Sequence, residues 1–162
     1  MLHPLLLSSF LLLLLLPTPT TSSSSSSNST IYDLLPKYGL PPGLLPDNVQ
    51  SFSLSQNGRF SVQLQSRCQI EFDYLVSYDA DISGTLKYGS IRDLKGVHAR
   101  KFLIWFDVDA IKVDLPPSDY VYFEVGWITK KLDAEQFRTV HSCEKNELIR
   151  EPTEEISMLI TE

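Results

Sequence analysis

No lysine, arginine, aspartate or glutamate occurs in the first 30 residues, although 14 basic and 20 acidic residues are distributed over the rest of the 162-residue chain. A stretch so poor in charge reads as a leader and a spacer, not as part of a folded body. The remainder lacks a basic stripe. Net charge is -6, and from Glu144 to Glu162 six glutamates face only Lys145 and Arg150, a net of -4, which leaves -2 for the body. Nucleic acid and anionic membrane surfaces are therefore disfavoured as partners. Also missing are a Gly-x-Ser-x-Gly elbow, a Gly-rich phosphate loop and a His-Glu-x-x-His zinc motif, and there are three histidines and two cysteines in all. No cofactor or metal is implied, and no catalytic residue is assigned.

What is present begins with an apolar run from Leu5 to Leu16, broken only by Ser8 and Ser9. It is too short for a membrane span, which takes about 20 residues, and fits the hydrophobic core of a signal peptide. Small residues from Thr18 to Ser24 offer cleavage positions, so residues 1–22 are expected to be a signal peptide. The absence of Lys or Arg before the run leaves an uncleaved anchor as the rival. No later stretch approaches membrane-spanning length, and the mature protein is expected outside the cell. Residues 23–30 form a serine-rich spacer, since Ser22 to Ser27 is an uninterrupted serine tract with nothing to bury. Asn28-Ser29-Thr30 is a glycosylation sequon, used or unused.

Cys68 and Cys143 both lie in the body, residues 31–143, which has the size of one domain. In an oxidising compartment two such thiols pair, the alternative being two buried free thiols. Residues 144–162 form an acidic tail, trimmable unless Ile156, Leu159 and Ile160 dock as a short helix.

Between Ile31 and Pro46 the chain is apolar and proline-punctuated, with Thr30 placed to cap a short helical turn that Pro36 limits. Period-two alternation follows. Phe52 and Leu54 share a face with Phe60 and Val62 only if Gln56-Asn57-Gly58 is a three-residue loop with Gly58 in a left-handed conformation. Ile70, Phe72, Tyr74, Val76 and Tyr78 alternate as one strand, Asp79-Ala80-Asp81 is expected to turn the chain, and short strands follow near Ile82 to Leu86 and Ser90 to Leu94. Two further strands are apolar on both faces: Phe102 to Phe106, and Tyr120 to Trp127. The predicted fold class is all-β, a small antiparallel β sandwich or partly closed barrel with a short N-terminal helical turn.

The two-sided strands need a cover, because exposed aromatic patches are rare on monomers. Leu34, Leu35, Leu40, Leu44 and Leu45 would serve; the alternatives are an apolar ligand cavity or a protein partner. His98 and His141 are the histidines available for a hydrolase triad, but no serine or aspartate is singled out for them. Asp79 with Asp81, and Asp107 with Asp109, place carboxylate pairs suited to calcium or, more simply, to solvated turns and strand edges.

The order Leu40-Pro41-Pro42-Gly43-Leu44-Leu45-Pro46, Gly58-Arg59-Phe60-Ser61-Val62, Cys68, Ile82-Ser83-Gly84, Leu94-Lys95-Gly96-Val97, Leu103-Ile104-Trp105, Phe123-Glu124-Val125-Gly126 and Cys143 resembles the plant family called domain of unknown function 538. The resemblance covers residues 31–143 and implies a small β sandwich or partial barrel. Its activity is unsettled: similarity to lipid-binding bactericidal proteins, chlorophyll binding and ester cleavage have all been suggested. The family supplies no agreed catalytic residues. The expectation is thus a secreted, apoplastic, non-enzymatic module for an apolar small molecule or lipid. The alternatives are an ester hydrolase acting on a chlorophyll-like substrate and a purely structural or protein-interaction domain. The oligomeric state is left open.

Overall fold

The computed structural model describes residues 29–143. The expected signal peptide (residues 1–22), the serine-rich spacer up to Asn28 and the acidic tail (residues 144–162) fall outside the described residues. Thr30 opens the first element as expected: its hydroxyl accepts from the Asp33 amide, and the Asp33 carboxylate accepts from the Thr30 amide at 2.9 Å. This reciprocal capping box satisfies amides that a helix start leaves unpaired. Helix α1, Ile31–Lys37, then lasts two turns with Pro36 near its end. A single 3-10 turn, Pro42–Leu44, leads into the sheet.

Nine strands follow: β1 Val49–Leu54, β2 Arg59–Leu64, β3 Cys68–Glu71, β4 Leu75–Lys87, β5 Ser90–Lys101, β6 Ile104–Asp107, β7 Ala110–Val113, β8 Tyr120–Val125 and β9 Ile128–Asp133. A second 3-10 turn, Ala134–Phe137, is the last element among the described residues. The strands pair antiparallel in the order β1-β2-β4-β5-β7-β8-β9, with β3 added to β4 and β6 added to β5. The sheet folds over without closing, a sandwich-like, partly closed barrel. No helix among the described residues is long and apolar enough to cross a membrane.

The first hairpin has the anticipated register. Leu54 pairs with Phe60 and Phe52 with Val62, Gly58 has φ +84°, and its amide closes the turn on the Ser55 carbonyl at 2.9 Å. Along β2, Phe60, Val62 and Leu64 are buried and their neighbours exposed, the period of a strand with one wet face.

The middle of the chain departs from the reading. Ile70 to Tyr78 is not one strand: Phe72, Asp73 and Tyr74 form a tight turn, and Ile70 pairs back onto Val76. Alternation survives because hairpin partners share a face. Asp79-Ala80-Asp81 does not turn the chain but lies inside the 13-residue β4. The expected short strands near Ile82 and Ser90 are parts of β4 and of the 12-residue β5. Each long strand serves two neighbourhoods. The first residues of β4 pair with β3 and the last residues of β5, while the far half of β4 pairs with β2 and the start of β5.

Bulges make that bend. Register with β5 shifts between the Tyr78–Val97 and Ser83–Lys95 pairs, where four residues of β4, Asp79 to Ile82, stand against the single Gly96 of β5, and again before the Thr85–Arg92 pair. Asp93 and Gly96 have φ of 50° and +83°. A Cβ on Gly96 would lie 2.3 Å from the Asp81 carbonyl oxygen, so only glycine lets the bulged strand approach.

One core lies inside. Ile31, Leu35, Leu40, Leu44 and Leu45 are buried with Phe60, Val62, Ile82, Leu86, Ile91, Val121 and Phe137. The N-terminal leucines therefore cover the sheet's inner face at one end, although Leu34 is only partly buried. The last described segment is packed against the segment that leads into β1: the Asp47 amide donates to the His141 carbonyl at 3.0 Å. Cys68, at the start of β3, is bonded to Cys143 across 75 residues of sequence, which ties the sheet to its final segment.

Candidate functional site

The two ends of the fold are filled differently. At one, Leu35, Leu44 and Leu45 meet Phe60, Leu86 and Ile91 and leave only about 10 Å³, no more than a single water needs. At the other, no segment among the described residues covers the sheet. A cleft of about 470 Å³ opens there between the β3–β4 turn, the ends of β5 and β6, and the β8–β9 hairpin. That volume falls in the range of small-molecule sites.

Strand alternation builds the cleft floor. Val76, Val108, Phe123 and Leu132 line it and are buried. Phe137, 1% exposed, supports it from below, its ring 4.8 Å from that of Phe72 and 5.4 Å from that of Phe123. Phe72, Tyr74, Ala99 and Val125 form walls, with Ala99 paired to Val76 on one side and Phe106 on the other. The small side chain of Ala99 leaves space that a larger one would fill. At the mouth, Phe106, Trp127 and Ile128 stand beside Arg100, Lys101 and Lys130. Asp109 fixes one edge, its carboxylate accepting from the Gly126 amide at 2.7 Å.

Both strands read as two-sided end in this region, and here the expectation needs correcting. Phe102 to Phe106 is not a buried strand. Its first two residues form the turn between β5 and β6, and all five are exposed, Phe102 by 85% and Leu103 by 89%. None of the N-terminal leucines covers them. In β8, Val121 and Phe123 are buried as expected and Tyr120 faces out, but Trp127 has left the strand and stands at the next hairpin turn, 95% exposed. A hairpin turn ordinarily carries polar residues, so apolar Phe102-Leu103 and Gly126-Trp127 were the available signal.

A second depression, about 610 Å³, runs along Pro41, Pro117, Asp119, Glu135 and Arg138, with Leu40 and Val121 also in its lining. Its lining mixes prolines and aliphatic side chains with Asp119, Asp133, Glu135 and Arg138, so it is more polar than the cleft.

His98 lies on the outer face of β5, between two carboxylates. Its Nε2 is 3.0 Å from Asp79 Oδ2 on β4 and its Nδ1 is 2.7 Å from Asp107 Oδ1 on β6. Arg67 also reaches Asp79, at 3.5 Å. Partial burial opposes the imidazolium and is the largest single influence, but hydrogen bonds and charge from Asp79 and Asp107 together outweigh it and raise the His98 pKa. With both nitrogens bonded to carboxylates, the ring joins three strands. His141 Nε2 meets the Gln136 carbonyl at 2.8 Å. Among the described residues the two rings thus bond to carboxylates and a carbonyl, and neither is paired with a serine hydroxyl.

The carboxylate pairs do not converge on a cation. Asp79 and Asp107 hold His98, Asp109 holds Gly126, and among the described residues no cluster of three or more His, Cys, Asp or Glu side chains is arranged to hold a metal ion.

Comparison with curated proteins and with solved structures finds no match for the chain. A family model does match, over residues 31–138, a span that takes in the N-terminal plug, all nine strands and the whole lining of the cleft. The chain belongs to the plant family described as protein of unknown function, DUF538.

Proposed function

We propose that this domain is a non-enzymatic binding module that takes an apolar small molecule, or the apolar part of a lipid, into the cleft between the β3–β4 turn and the β8–β9 hairpin. The observation that carries the reading is the contrast between the two ends of one fold. The end plugged by Leu35, Leu44 and Leu45 is solid, whereas the other keeps about 470 Å³ above a floor of Val76, Val108, Phe123 and Leu132. A chain needing only a stable core could fill the second end as it fills the first. Apolar floor and cationic mouth suit a ligand with a hydrophobic body and a polar or anionic head, held near Arg100, Lys101 and Lys130. The ester-hydrolase alternative draws no support from His98 or His141, which are hydrogen-bonded to carboxylates and to a carbonyl.

Native mass spectrometry of the protein purified from plant tissue tests the reading. A co-purifying small molecule, released on denaturation, is expected; protein of bare polypeptide mass that also takes up no added lipid would refute it. We place this activity outside the cell, on the apolar leader, the serine spacer and the cysteine pair. Sequencing the mature N-terminus should find residues 1–22 removed, and a secreted chain still starting at Met1 would contradict that.

A further inference from the structure

Folding gives no reason for the residues at the two hairpin tips. Phe102 is 85% exposed and has φ 58°, a left-handed conformation that costs energy in a bulky residue and that glycine would adopt freely. Leu103 beside it is 89% exposed, Ile104 60%, and Trp127 on the other tip 95%. Each of these side chains would stabilise the isolated fold better as a polar residue or, at Phe102, as glycine. The tips belong to β5–β6 and β8–β9, distant in sequence, yet the cleft brings Lys101 and Trp127 to one mouth. That mouth also gathers Arg100, Lys101 and Lys130, in a body whose net charge is only -2. The chain as a whole is acidic, and the sequence accordingly disfavours an anionic surface. The fold overcomes this locally by assembling cations spaced along the chain, while the acidic groups nearby are engaged: Asp107 by His98 and Asp109 by the Gly126 amide.

We propose that this end of the molecule docks on a phospholipid bilayer. Phe102, Leu103 and Trp127 enter the interfacial region, Arg100, Lys101 and Lys130 lie at the level of the lipid phosphates, and the cleft opens toward the membrane. Aromatic side chains favour that interface, and basic residues near the surface add attraction to anionic lipids. This deepens the cleft reading by naming the phase from which an apolar ligand is taken or to which it is given.

The test is vesicle co-sedimentation of the full chain, with phosphatidylcholine alone and with a minority of phosphatidylglycerol added. A Trp105→Phe background leaves Trp127 as the reporting indole. Expected are binding that strengthens with phosphatidylglycerol and weakens several-fold in high salt, a blue shift of Trp127 emission, and quenching by bromine-labelled acyl chains. Phe102→Gly and Leu103→Ser should each weaken vesicle binding about tenfold, and Phe102→Gly should melt no lower than the parent, so lost binding is not lost fold. Absence of vesicle binding overturns the proposal. So does binding with unshifted, unquenched Trp127 emission, which is adsorption by charge alone. Concentration-dependent self-association abolished by Phe102→Gly would also overturn it, by assigning the tips to a second copy of the chain. Failure here is distinguishable from failure of the cleft reading: Phe102 and Leu103 do not line the cleft, so their variants should still take up an apolar probe from solution. Ala99→Phe, inside the cleft, should still dock.

Discussion

Replacing Cys143 by serine opens the bond that holds the final segment to β3 and leaves the strand pairing untouched. Cys143 is the better position to change, because Cys68 is 2% exposed and a hydroxyl there would be buried among apolar groups. The sequence separation of 75 sets the size of the effect. Closing a loop of that length lowers the entropy of the unfolded chain by an amount worth about 4.5 kcal/mol at room temperature. A folded body of this size unfolds with an entropy near 0.24 kcal/mol/K, at roughly 2.1 cal/mol/K per residue, so the predicted fall in Tm is about 15–20 °C. Calorimetry or circular dichroism on wild type and Cys143→Ser, each with and without reductant, supplies the four necessary melts. Unreduced wild type should stand above the other three, which should agree closely. If unreduced wild type and the variant melt together, or if denatured, unreduced wild type exposes two labelled thiols, the bond does not support the fold and the argument from loop length fails.

Gly96→Ala should destabilise by about 2–4 kcal/mol, since the new Cβ meets the Asp81 carbonyl at 2.3 Å in a strand already at φ +83°; a urea midpoint close to that of wild type would refute the bulge geometry. His98, held by Asp79 and Asp107 and with Arg67 nearby on Asp79, has a folded-state pKa above the ordinary imidazole value of about 6.5. Its contribution to stability is therefore fully present below that value and is lost as pH rises through the raised pKa. The Tm advantage of wild type over His98→Gln should shrink over that window, and an NMR titration of the His98 ring with a midpoint at or below the ordinary value would contradict it.

The hairpin of β1 and β2 was legible because three constraints agree: alternation on both strands, a shared apolar face, and a glycine at the one loop position needing positive φ. The short first helix was legible from Thr30, Asp33 and Pro36, which act within one or two turns. The long bent strands were not. Asp93 and Gly96 shift the parity of β5, so Ile91, Leu94 and Val97 are all buried although no single period-two pattern includes them. A bulge is set by what lies across the ladder, here the Asp81 carbonyl, and that neighbour is invisible in a local window. The Asp79 to Asp81 stretch has turn composition for a related reason: the Asp79 carboxylate holds the His98 ring, and the Asp81 backbone carbonyl lies across the bulge from Gly96. The apolar run at Phe102 to Phe106 reads from sequence as a two-sided strand that needs a cover, because burial is the ordinary fate of such residues. Its placement on a hairpin is instead the strongest pointer to the cleft mouth, and the sequence did identify these aromatic strands as the feature in need of explanation. The cleft itself depends on what does not cover it, which only the assembled fold defines.

The central claim is that the space above Val76, Val108, Phe123 and Leu132 receives an apolar ligand. Titration of the full chain with a fluorescent fatty acid, in solution without vesicles, tests it most directly when wild type is compared with Ala99→Phe. The added ring projects from a wall position between Val76 and Phe106 into the cleft. Saturable uptake of one probe per chain by wild type, weakened at least tenfold in an Ala99→Phe variant that melts normally, is the predicted result. No saturable uptake by wild type, or equal affinity in the two proteins, would contradict the account.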